Sequence, residues 1–95
     1  MASHALRNYP RNPHDPIIHD LDPIRIDAHE IQVRLIIRRA DDGSWQGRMH
    51  FSEPESGTEV ETAEIFCGPS EKELWESVGN LREHHLRDLY RSLES

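Results

Sequence analysis

The sequence predicts an α+β domain: a three-stranded antiparallel sheet packed on one face by a long C-terminal helix, in the order β-β-β-α, behind an extended N-terminal arm. Two stretches, 31–39 and 44–52, alternate apolar and polar residues with the period of a half-buried strand. Asp41-Asp42-Gly43 between them is hairpin chemistry. After Ser70 the apolar residues recur at helical spacing instead.

Taken in order, residues 1–23 read as a flexible proline-rich arm, and residues 24–95 as the single folded domain. Pro10, Pro13, Pro16 and Pro23 each remove a backbone donor and restrict the residue before them, so no ladder is expected there. Ile24 and Ile26 alternate with Arg25 and Asp27, a short extended piece that breaks near Ala28-His29.

In the first full strand, Ile31–Arg39, residues Ile31, Val33, Leu35 and Ile37 share one face, and Gln32, Arg34, Ile36 and Arg38 the other. In the second, Ser44–Ser52, Trp45, Gly47, Met49 and Phe51 oppose Gln46, Arg48, His50 and Ser52. The faces select the turn. A two-residue Asp42-Gly43 loop would set Ile36 against Met49, one facing out and one in. A three-residue loop pairs Leu35 with Met49 and Val33 with Phe51, with Gly43 in the left-handed position. The third strand, about Thr58–Cys67, is less regular. Its alternation puts Ala63, Ile65 and Cys67 on the buried side, and a bulge near Glu61-Thr62 is needed to bring Val60 to join them.

The helix follows Gly68-Pro69. Ser70 is an N-cap with Glu73 three residues on. Glu71, Glu73 and Glu76 suit the positive end of the helix dipole, and Arg82, Arg87 and Arg91 the negative end. Leu74, Val78, Leu81, His85 and Leu89 form a stripe that Trp75, Leu86 and Leu93 widen. One helix to the C-terminus would run about 36 Å and overhang a narrow sheet. Its last turns would then expose Leu86, Leu89, Tyr90 and Leu93, which with Trp75 make the expected interface for a second copy or a small protein partner.

Charge and composition bound the function. A net charge of −7 disfavours nucleic acid and anionic membrane. The single cysteine, Cys67, allows no internal disulfide, and no apolar run resembles a leader or a span, so the expected location is cytoplasmic. A folded part this small sits near the limit of independent stability, for which oligomerisation is a common remedy.

The candidates for chemistry are few. Arg34, Arg38, Arg48 and His50 project from the open sheet face as a candidate binding surface for phosphates or an acidic partner. Glu59, Glu61 or Glu64 are placed to answer them as cross-strand pairs. His14, Asp15, His19, Asp20, Asp22, Asp27 and His29 are metal-ligand types on proline-broken chain, which holds them poorly, so no metal site and no cofactor is assigned. His85 falls on the apolar stripe with His84 beside it. Cys67 lies near a helix N-terminus without a neighbouring base, and Ser70 is accounted for as a cap. Trp45 is expected beneath the helix with Arg39 across the turn, and Trp75 against the third strand. No nucleophile–base pair or phosphate loop is present, and no catalytic residue is assigned.

The stretch Val33–Leu81, above all GSWQGRMHF and FCGPSEKELWESVGNL, resembles the partial double-stranded-RNA-binding fold of HicB-like antitoxins. There a strand ends in a Gly-x-Thr/Ser step before a helix carrying Glu and Leu. The resemblance implies a dimeric acidic regulator that binds a small toxin. The family's proline- and glycine-rich strand connection is not evident, and no DNA-binding segment follows the helix. GSWQGRMHF is also similar to the three-stranded DNA-binding domains of phage integrase arms, although acids along the third strand count against that. The leading expectation is a small non-enzymatic interaction or regulatory protein, self-associating through its C-terminal helix. The alternatives are nucleic-acid binding through the arginine-bearing face and a metal-dependent protein using the arm.

Overall fold

The computed structural model describes residues 15–94. The elements are β1 (Ile17–Ile26), β2 (His29–Arg39), β3 (Trp45–Glu53), β4 (Thr58–Glu61), β5 (Phe66–Gly68), α1 (Glu71–Gly79) and α2 (Glu83–Glu94). The α+β class and the helix-covered antiparallel sheet are as expected. The sheet, however, has five strands in the order β1-β2-β3-β4, with β5 also on β3, and two helices replace one.

The largest correction concerns residues 17–23, expected in the arm. They belong to β1 and pair with β2 from Ile17–Ile37 to Leu21–Val33. The prolines do not prevent this. Pro16 lies just outside the strand, and Pro23 sits where Asp22 and Pro23 together face the single residue Gln32. A bulge is one of the few places in a sheet where a missing N–H is tolerated. It also reverses the alternation, so Ile17, His19 and Leu21 before it, and Ile24 and Ile26 after it, face the same side as Leu35. Residues 1–14 of the expected arm, His14 among them, lie outside the described residues.

Asp27 and Ala28 close this hairpin, both with positive φ, 51° and 71°. Strand twist favours that two-residue geometry, though an Asn-Gly pair is its usual occupant. The second hairpin follows the expected register, Leu35 with Met49 and Val33 with Phe51. Gly43 takes φ +88° there, and Asp42 accepts hydrogen bonds from the N–H and hydroxyl of Ser44.

The expected third strand is interrupted. Arg48 and Met49 of β3 lie opposite four residues, Thr62, Ala63, Glu64 and Ile65. The excess is even, so Val60 and Phe66 both face the core without a bulge at Glu61-Thr62, and Cys67 and Ile65 are exposed. The buried face expected for Ala63, Ile65 and Cys67 is thus reversed. Thr62 bridges the break. Its N–H donates to the Met49 carbonyl at 2.9 Å, and its hydroxyl accepts the Met49 N–H at 2.9 Å.

The helices cover the inner face. Ser70 caps α1 by accepting the Glu73 N–H at 3.2 Å. Leu74 comes down onto Gly47, where a Cβ would lie 3.3 Å from Ile37, 3.4 Å from Leu35 and 3.5 Å from Leu74. The expected single helix stops at Gly79-Asn80. Glycine is costly in a helix interior and asparagine favours its ends, so the chain turns here and α2 runs back over β1 and β4. His85 is exposed, not part of the apolar stripe. Its Nδ1 accepts the Arg82 N–H at 3.0 Å, capping α2. The buried core is Ile24, Ile31, Val33, Leu35, Ile37, Met49, Phe51, Phe66, Leu74, Val78 and Tyr90. No helix among the described residues is long and apolar enough to cross a membrane.

Candidate functional site

The open sheet face carries all four residues singled out as a binding surface, and each is paired with an acid. Arg34 Nε donates to Asp20 at 2.9 Å. Arg38 makes a two-pronged contact with Glu64 at 2.6 and 2.7 Å and also donates to Gln46. Arg48 reaches Glu61 at 2.8 Å, and His50 lies 3.1 Å from Glu59. The hydrogen bond from Arg38 holds the Glu64 carboxyl below the usual carboxylate range, against a smaller opposing effect of burial. Ile36, in the middle of this face, is buried although it points away from the core. Its β3 neighbour is Arg48 and its β1 neighbour is Ile18. This part of the face is therefore a neutralised ladder in which a phosphate would meet a carboxylate beside each of Arg34, Arg38 and Arg48.

The helix residues expected at an interface lie closer to the core than a single rod would leave them. Tyr90 is buried and meets Phe51 edge-on at 5.4 Å. Leu86, Leu89 and Leu93 pack against the core and stay partly exposed at its rim, because the turn at Gly79-Asn80 folds α2 back and removes the overhang. Trp75 packs at the rim too, its ring against His19 of β1 at 4.8 Å and its indole N–H donating to Glu71. His19 Nε2 is shut off from solvent in that contact. Arg39 sits opposite Trp45 in the register, as expected.

Two features were not legible beforehand. One is the outer edge of β1, which no strand among the described residues covers. Ile18 is 62% exposed on its outward face, and Ile17, Leu21 and Ile26 are partly buried on its inward face. The prolines hid this strand.

The other is a polar cluster at one end of the sheet. The Asp27-Ala28 turn delivers His29, the end of β3 delivers Glu53, and the turn beyond it delivers Glu55. His29 Nδ1 lies 2.6 Å from Glu55 and 3.4 Å from Glu53. The Glu55 hydrogen bond, with Glu53 and Asp27 nearby, holds the imidazole above its ordinary range. The Tyr90 hydroxyl stands 3.4 Å from Glu53 and 3.1 Å from Glu94. Burial first, and then the two carboxylates, push that phenol up to about 12. His29 was visible in the sequence as a ligand type, but its partners lie 24 and 26 residues away and only the register joins them.

No family model matches the chain. No match was found among curated proteins or among solved structures.

Proposed function

We propose that this chain is a small non-enzymatic interaction module that self-associates along the outer edge of β1, with the leucine rim of α2 contributing. The observation that carries this reading is the state of β1. It is an edge strand with partly exposed apolar side chains on both faces, next to a sheet face whose charges are already paired. A second copy is the favoured occupant. Antiparallel pairing of β1 with itself continues the sheet, sets the inward Ile17 and Leu21 beside their counterparts, and satisfies the edge N–H and C=O groups.

The Asp22-Pro23 bulge blocks the distal half of the edge and leaves 17–21 as the regular segment. Leu86, Leu89 and Leu93 lie on α2, which contacts β1, so their exposed rims extend the same surface. The HicB-like resemblance of Val33–Leu81 agrees with a regulator that acts by pairing with protein, and a small protein partner is the alternative occupant. Duplex binding through Arg34, Arg38, Arg48 and His50 has less support, because each is answered by a carboxylate.

Sedimentation equilibrium from micromolar to millimolar concentration tests the proposal. The expected result is a dimer for the full chain and a folded monomer for Ile18→Lys, since a lysine at an exposed edge blocks strand pairing without touching the core. A clean monomer throughout, or an unchanged dimer in Ile18→Lys, would contradict it.

A further inference from the structure

We propose that His29, Glu53 and Glu55 form a binding site for a divalent transition-metal ion, with zinc the best match. Two stretches of chain, the start of β2 and the end of β3 with its following turn, bring one imidazole nitrogen and two carboxylates together, all donor atoms lying within 4.8 Å of one another. Around a tetrahedral zinc with bonds of about 2.0–2.2 Å, donor atoms stand roughly 3.3–3.6 Å apart. The His29–Glu53 separation of 3.4 Å already has that value, and the His29–Glu55 separation of 2.6 Å reaches it by a small opening on an exposed turn. Two carboxylates neutralise a dication, and the imidazole favours zinc over calcium or magnesium, which take oxygen donors.

The surroundings are those of a supported ligand set. Glu53 is the least exposed of the three, its side chain 15% accessible. Its second oxygen faces the hydroxyl of Tyr90, and Tyr90 is fixed by burial and by its ring contact with Phe51. Such an outer hydrogen bond orients a ligating carboxylate. Glu94 on the far side of the same hydroxyl, and Asp27 in the adjoining turn, add negative potential at the site. The ion would tie the tip of the first hairpin to the turn after β3. The sequence placed His29 among possible ligands in the arm, whereas the structure places it on β2 with acids from another hairpin.

Titration of the full chain with Zn²⁺ alone, followed by calorimetry and by the visible spectrum of the Co²⁺ form, tests this. The expected result is one ion per chain, an intense tetrahedral cobalt spectrum and a raised unfolding temperature. His29→Ala and Glu55→Gln should each weaken binding by more than 100-fold, beyond the roughly 10–100-fold cost of losing an outer partner that Tyr90→Phe should show. Glu55 lies on an exposed turn, so its variant keeps the fold and the comparison stays interpretable. Binding that is unchanged in His29→Ala and Glu55→Gln, that is lost in His14→Ala or His84→Ala instead, or that prefers Ca²⁺ to Zn²⁺ would overturn the proposal.

Discussion

The two long hairpins share β2 yet are built on opposite principles. The β2–β3 hairpin keeps strict alternation, carries its turn on Asp42 and Gly43, and buries Leu35, Met49, Val33 and Phe51 as facing pairs. The β1–β2 hairpin breaks its alternation at Asp22-Pro23, turns on Asp27 and Ala28 without a glycine, and leaves Ile17, Leu21 and Ile26 half covered. The first is specified by its own sequence. The second is specified by the sheet it joins, since its apolar set reaches the core only because the bulge switches faces partway along. A strand held this way remains an edge, and that is where the proposed self-association lies.

Substitutions can break or sharpen this contrast. The largest effect is expected at Leu35, fully buried with His19 on one side and Met49 on the other. Leu35→Ala should cost about 2–5 kcal/mol in urea denaturation, whereas Ile17→Ala, at the half-covered end of β1, should cost less than about 1.5 kcal/mol. Equal losses would mean that the end of β1 is as deeply embedded as the centre of β2.

The turns should respond with opposite signs. Gly43→Ala forces a side chain onto φ +88° and is expected to destabilise by about 1–2 kcal/mol. Ala28→Gly relieves an alanine at φ 71° and should stabilise by about 0.5 kcal/mol, part of the relief being offset by the freer unfolded chain. Thermal unfolding of the two variants beside the parent reads both signs.

The smallest effect concerns pH. Glu64 is held below its ordinary value of 4.5, with Arg38 as the main cause, so its contribution is fully present above that value and is lost as pH falls through the lower folded-state value. Glu64→Gln should flatten the acid limb of the stability curve. Asp20→Asn, on the β1 side, should barely change the unfolding temperature at neutral pH, because Asp20 is 82% exposed and its pair with Arg34 is screened by water.

These contrasts explain what could be read from the residues. Alternation in Ile31–Arg39 and Ser44–Ser52 fixed the second hairpin to the residue pair, because one slipped position would have put Ile36 in the core. Ser70 with Glu73 marked the start of α1. Proline, sound as a breaker inside a regular strand, concealed β1 because its exception is the bulge. The even insertion at 62–65 keeps the phase, so Phe66 stays on the inward face with Val60; the expectation failed by taking Ala63, Ile65 and Cys67 as the buried set, with a bulge to bring Val60 across. Gly79-Asn80 carries the composition of a helix end, a signal the single-helix expectation passed over in following the apolar stripe through Leu86 and Leu89. Of the candidate sites, the open-face pairings of Arg48 and His50 with Glu61 and Glu59 follow from diagonal neighbours across β3 and β4, whereas Arg38 reaches past β3 to Glu64 in the interrupted segment, which no register encodes. The meeting of His29 with Glu53 and Glu55 depends on two turns lying side by side, which no local pattern encodes.

The open edge of β1 is tested most directly by amide hydrogen exchange of residues 17–21, measured by NMR across a range of protein concentrations. Protection in that segment should rise with concentration in the parent chain and stay low in Ile18→Lys, while β3 is protected equally in both. Protection of β1 that is independent of concentration, or a concentration effect confined to the exposed face of α2, would contradict the assignment of the edge as the contact surface.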